Sequence, residues 1–153
     1  MHRRKVLGTC GLSALWLAHQ LPAQGAVEQE KKGPISQPHA PATMKFIERA
    51  FEMRRRAIEY GDQPYGAIIV INDVIVGQSW SRVILDQDPT AHAEISAIRD
   101  TAQRLASRNL SGAIMYSSSA PCPMCEAAAY WAGIQRLIYG PKGKDAGAPR
   151  LCG

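Results

Sequence analysis

The apolar positions divide the chain into alternating helical and extended stretches. After Thr43, a suitable N-cap, Met44, Ile47, Ala50, Phe51 and Ile58 recur near helical spacing. They predict a helix running to about Tyr60 and ended by Gly61. Gly66 to Ile71 and Val74 to Trp80 are apolar, β-branched runs, and Asn72-Asp73 between them predicts a hairpin. A loop from Ser81 to Asp88 leads to Pro89. Asp88 suits an N-cap and Pro89 the first helical position, so a second helix is expected from Pro89 to about Ala106. Ile95, Ile98, Ala102 and Leu105 mark its expected buried face. Ala113 to Ser117 reads as a third strand. Pro123 starts a third helix, Met124 to Ala132, closed by Gly133, and Gln135 to Tyr139 reads as a fourth strand. The order predicts an α/β domain over residues 43–153 whose last three strand connections are βαβ crossovers.

Upstream of that domain the pattern changes. A basic start, His2-Arg3-Arg4-Lys5, precedes an apolar run from Val6 to Leu21 and small residues at Ala23, Gly25 and Ala26. Residues 1–26 are therefore expected to be an export signal, with Arg3-Arg4 before Val6-Leu7 similar to a twin-arginine signal. Gly8, Gly11, His19 and Gln20 interrupt the run, which is too short for a membrane span. A periplasmic or secreted product follows; a start at Met44 would instead give a cytoplasmic one. Residues 27–42 are polar and proline-rich and are expected to be a disordered linker, with His39 an exposed loop residue.

Composition adds limits. The 153 residues, 46% hydrophobic, suit one compact domain plus an extension. The formal charge of +5 is concentrated at Arg3, Arg4 and Lys5; setting them aside leaves 15 of the 18 basic residues against 13 acidic ones. A nucleic-acid partner thus gains little support, without being excluded. Arg54-Arg55-Arg56 is expected to be a solvated helix face. Trp80, Tyr116, Tyr130 and Trp131 are expected to be core and not stacking platforms.

The chemistry lies in two short motifs. Thr90-Ala91-His92-Ala93-Glu94 reads H-x-E, and Pro121-Cys122-Pro123-Met124-Cys125 reads P-C-x-x-C. One imidazole and two thiolates supply three zinc ligands and leave a fourth tetrahedral position for water, the arrangement of a catalytic site. The carboxylate of Glu94 is then free to move protons. Both motifs fall at expected helix starts, whose positive field favours thiolate. A C-x-x-C pair can also be a redox dithiol; His92 and Glu94 upstream favour zinc. Cys10, in the N-terminal extension, and Cys152, next to the C-terminus, belong to no disulfide framework.

These motifs, with Pro64-Tyr65-Gly66-Ala67 and Asp88-Pro89, resemble the cytidine and deoxycytidylate deaminase-like superfamily over residues 44–141. Within it the chain is similar to the guanine deaminase and tRNA adenosine deaminase branch. The resemblance implies a three-layer α/β/α sandwich around a mixed sheet, shortened at its C-terminus, and a homodimer or larger oligomer. It implies zinc on His92, Cys122 and Cys125, Glu94 as proton shuttle, and a bound base beside Ala67, Ala93 and Pro121. Ser81 stands where the family has a base-gripping Asn, and Ala120 where a Glu commonly precedes the P-C pair. Ala129-Tyr130-Trp131-Ala132 is more similar to the guanine deaminases. The expected activity is hydrolytic release of ammonia from a free nucleobase or related small heterocycle, guanine favoured. The alternatives are a tRNA adenosine deaminase, an inactive zinc-stabilised binding protein and a thiol oxidoreductase.

Overall fold

A computed structural model describes residues 32–151. The expected export signal, the first part of the expected linker, Cys10 and Cys152 lie outside the described residues. The elements are α1 (Thr43–Glu59), β1 (Gly66–Ile71), β2 (Val74–Trp80), α2 (Ala93–Leu105), β3 (Ile114–Ser117), α3 (Pro123–Ala132), β4 (Arg136–Tyr139) and β5 (Lys144–Gly147).

The strands form one mixed sheet in the order β2-β1-β3-β4-β5. β1 is antiparallel to both β2 and β3, β3 is parallel to β4, and β4 is antiparallel to β5. The hairpin turn falls at Asn72 and Asp73, both in the left-handed region at φ 48° and 59°, as a two-residue turn between twisted strands requires. Alternate residues of β1 enter opposite layers. Ile68 and Val70 pack with Phe46, Ile47 and Met53 of α1, while Ala67 and Ile69 pack with Ala93 and Ala97 of α2 and Ala129 and Ala132 of α3. A strand apolar on every position is what a sheet covered on both faces needs. The three-layer α/β/α sandwich is the observed fold.

Several sequence-based expectations need correction. α1 buries Phe46, Ile47, Ala50, Met53 and Ala57, whereas Met44 and Ile58 are exposed. Its N-cap is Ala42, with Thr43 the first helical residue. α2 starts at Ala93 and not at Pro89, because the Asp88 carboxylate folds onto its own turn, accepting from the Thr90 N–H at 2.8 Å and hydroxyl at 2.7 Å. Two of the expected crossovers are present, β2-α2-β3, which passes across β1, and β3-α3-β4 between neighbouring strands; β4 to β5 is instead a hairpin. β5 was not foreseen, since Lys144-Asp145-Ala146-Gly147 carries no apolar pattern. Tyr116 is core, packed on Phe46, but Tyr130 and Trp131 are exposed on α3.

Residues 32–42 form neither helix nor strand, yet they are tied to the domain. The Gln37 amide donates to the Ile75 carbonyl at 2.9 Å and accepts from its N–H at 2.8 Å, satisfying the outer edge of β2. Lys32 pairs with Asp100 at 2.6 Å, and Arg104 donates to the Gly33 carbonyl at 2.7 Å. His39 is exposed, as expected.

Candidate metal centre and active site

β2 and β3 run in the same direction, so the loops that follow them leave one end of the sheet. Each loop runs into a helix: the first ends at His92, the N-cap of α2, and the second at Cys122, the N-cap of α3. Pro123 follows Cys122 at the first helical position, where its missing N–H costs nothing. Crevices outside the carboxyl ends of strands are where open α/β sheets bind ligands.

The two helix starts bring the ligand atoms together. Nδ1 of His92 lies 3.6 Å from Sγ of Cys122 and 3.6 Å from Sγ of Cys125, and the two sulfurs are 3.6 Å apart. Zn–S bonds of about 2.3 Å and Zn–N bonds of about 2.0 Å at tetrahedral angles separate such atoms by roughly 3.5–3.8 Å. The triangle therefore fits one tetrahedral ion, and a disulfide, with sulfurs about 2.05 Å apart, is not what the pair forms. His92 and Cys122 are half-buried and Cys125 is fully buried.

Glu94 completes the site one step along α2. Its carboxylate is 5% exposed and lies 3.6 Å from Sγ of Cys125. Burial holds this carboxyl above the usual range, against the opposing pull of its own N–H and of Cys125. Burial also pushes the Cys125 thiol up, and the negative charge of Glu94 adds to the shift. The sequence predicted the opposite for this thiol, because it weighed the helix field and not the buried acid. A cation among the ligands supplies the missing positive charge, and a thiol that coordinates one loses its proton outright.

The other expected site residues divide. Ala67 and Ala93 are fully buried in one core cluster on the α2 and α3 side of the sheet, and Pro121 precedes Cys122 at the site's rim. Ser81 is fully buried, and its hydroxyl donates to Oδ1 of Asp62 at 2.8 Å. Its one proton is thus held by Asp62. Asp62 was missed by sequence reasoning; the signal available was an acid in the Gly61-Asp62-Gln63-Pro64 turn. Arg54 donates to the Pro64 carbonyl and lies over Phe51, and Arg56 lies over Trp80; Arg55 and Arg56 are exposed, so the basic run is the solvated helix face the sequence suggests. A groove of about 430 Å³ beside Met44, Phe51 and Pro141 lies on the outer side of α1 and includes none of the ligands.

Residues 41–141 match the family model of the cytidine and deoxycytidylate deaminase zinc-binding region. The chain belongs to this family. Zinc is accordingly the metal of the His92, Cys122 and Cys125 site. Guanine deaminase of Bacillus subtilis is 37% identical over 102 residues, covering 66% of this chain and 65% of that protein. The tRNA-specific adenosine deaminase of Agrobacterium fabrum is 39% identical over 103 residues, covering 67% and 68%. A solved structure from work on A-to-I editing by deaminases acting at the wobble position of transfer RNA superimposes with a TM-score of 0.61 at 39% identity. It covers 65% of this chain and 78% of that one.

Proposed function

We propose that this chain is a zinc-dependent hydrolytic deaminase acting on a free nucleobase or related heterocycle, with guanine the favoured substrate. The observation that carries the chemistry is the buried carboxylate of Glu94 beside the three ligand atoms. Holding a metal alone requires no fourth acid there. Zinc, when bound, supplies Lewis acidity and makes a water nucleophilic near neutral pH. Glu94, held above the ordinary carboxylate range by burial, takes up the water's proton readily. It then passes protons to the ring nitrogen and to the departing amine. The water oxygen adds at the carbon bearing the exocyclic amine, the carbon–nitrogen bond breaks and ammonia leaves. The backbone at Ala67, Ala93 and Pro121 borders the base.

Three features support a small substrate over RNA. The charge outside the first five residues is nearly balanced, and affinity for nucleic acid grows with the number of phosphates neutralised. Arg54 and Arg56 are engaged within the domain. The Tyr130-Trp131 segment is similar to the guanine deaminases. Ammonia release is compared from guanine, cytosine, adenine, adenosine and an anticodon stem-loop at equal zinc loading. Guanine is expected to react preferentially. Selective conversion of the stem-loop with guanine untouched overturns the small-substrate reading and establishes the tRNA adenosine deaminase alternative, which the Agrobacterium relative favours.

Two further readings belong to this proposal. The enzyme works as a homodimer, and residues 1–26 export it to the periplasm. A reporter fused to residues 1–43 should leave the cytoplasm, and Arg3→Lys with Arg4→Lys should retain it there. A native product that begins at Met44 and stays in the cytoplasm removes the export reading.

A further inference from the structure

We propose that Asp62 is a positioning residue for the metal ligand His92, acting through the loop of residues 81–91, and that Ser81 is part of that anchor and not a contact to the base. The inference rests on the metal-centre reading above. Asp62 lies just past α1, 7% exposed, with its own N–H donating to the Ala57 carbonyl at 2.8 Å. Its carboxylate gathers four donors. Oδ1 accepts from the Ser81 hydroxyl at 2.8 Å and the Gln63 N–H at 2.7 Å. Oδ2 accepts from the N–H groups of Ile84 and Leu85, each at 3.0 Å. Four donors fill the roughly four lone-pair sites of a carboxylate, so none remains for a ligand. Burial would push this carboxyl up, but the four donors outweigh it and hold the group below the ordinary range. It stays charged, and charge strengthens each bond.

The loop so anchored leads directly to His92. The Arg82 N–H, next to Ser81, donates to the Ala91 carbonyl at 2.9 Å and closes the neck of the loop one residue before the ligand. Inside it, the Ala91 N–H donates to the Asp88 carbonyl at 3.0 Å, and Arg82 pairs with Asp86 at 2.6 Å. The His92 carbonyl then accepts the first bond of α2, from the Ser96 N–H at 2.9 Å. Apolar packing does not hold this loop, since Ile84 and Leu85 are 57% and 46% exposed. Its own hydrogen bonds shape it, and the Asp62 hydrogen bonds tie it to the turn after α1. Asn at this position has the same shape but sets an NH2 group against two of the four donors. The loop is then released, and with it the placement of the imidazole.

The test uses metal-free protein titrated with Co2+ alone, read by visible absorption and by competition with a chromophoric chelator. Wild type is expected to bind one Co2+ with thiolate charge-transfer bands. Asp62→Asn should weaken Co2+ binding about tenfold or more, since partners that orient metal ligands typically contribute ~10- to 100-fold, and should shift the ligand-field bands. Ser81→Ala should act in the same direction and more weakly. Gln37→Ala is the control for general destabilisation, because it unclasps the other end of β2; it should leave Co2+ affinity unchanged whatever it does to Tm. Wild-type affinity and spectrum in Asp62→Asn, or a loss no greater than that of Gln37→Ala at equal Tm change, overturns the proposal. Should Asp62→Asn not fold, Ser81→Ala decides on the same readouts. A wild type that binds no Co2+ removes the metal centre itself and this anchor with it, whereas a wild type that binds normally beside unaltered variants removes the anchor alone.

Discussion

Glu94 shows what a single residue can carry in this fold. It sits two positions from the ligand His92, nearly inaccessible, with its oxygen turned toward Cys125. An acid so buried is costly unless its environment or chemistry uses it. Glu94→Gln keeps the shape and hydrogen-bonding capacity but cannot exchange protons. The variant should retain one zinc per chain by elemental analysis and a wild-type fold. Ammonia release should fall by ~100- to 10,000-fold, the usual share of general acid–base catalysis. Turnover within a few-fold of wild type would remove Glu94 from the mechanism. At this scale the sequence marked residues that the fold brings together, because His92, Glu94, Cys122 and Cys125 are residue types with narrow chemistry. Asp62 and Ser81 were less legible. A lone Asp and a lone Ser have many ordinary uses, and their partnership spans 19 residues of chain that only the fold closes.

At the scale of elements, most spans were legible and their orientations only in part. The apolar residues of α2 suggested a face built on Ile95, Ile98, Ala102 and Leu105. Ile95 is buried and Ile98 packs against the core, as that spacing suggests, but the helix also turns Ala93, Ala97, Asp100 and Thr101 inward, and Leu105 is exposed. The reason is a close approach. A Cβ on Gly77 of β2 would collide with the side chain and backbone of Thr101, so α2 packs Thr101 directly onto the bare strand backbone there. Polar residues tolerate this face because each finds a partner: the Thr101 hydroxyl donates to the Ala97 carbonyl at 2.8 Å, and Asp100 accepts from the Gln78 N–H at 3.0 Å. Hydrophobic spacing alone cannot reveal a face whose polar members are satisfied locally. Gly77→Ala should therefore push α2 off the sheet. Overpacking of this kind typically costs ~1–3 kcal/mol or more, seen as a fall in Tm, with a further loss of zinc because α2 carries His92 at its start. An unchanged Tm would mean that the helix and strand do not meet as described.

At the scale of the whole domain, the segment before α1 acts as a strap. Lys32, Gly33 and Gln37 join residues outside any regular element to α2 and β2, and Asp100 is the central knot. Burial would push the Asp100 carboxyl up. The Lys32 ammonium, the Arg104 guanidinium and the Gln78 N–H outweigh it and hold the carboxyl below the ordinary range. Lys32 is more than a third exposed, so salt screens its share, while the Gln78 N–H and the better-covered Arg104 are screened less. A carboxyl with a depressed folded pKa stabilises the protein fully above its unfolded pKa, about 3.9, and that stabilisation is lost as pH falls through the lower folded value. Asp100→Asn should thus lower Tm at pH 7, where the wild-type charge is complete. The gap between the two proteins should hold down to about pH 5 and narrow steadily below about pH 4, as protonation brings the wild type toward the state the variant already occupies. Melting curves at constant ionic strength from pH 7 to pH 3 measure this directly. A gap that stays constant across that range would show that the charge of Asp100 is not what fastens the strap.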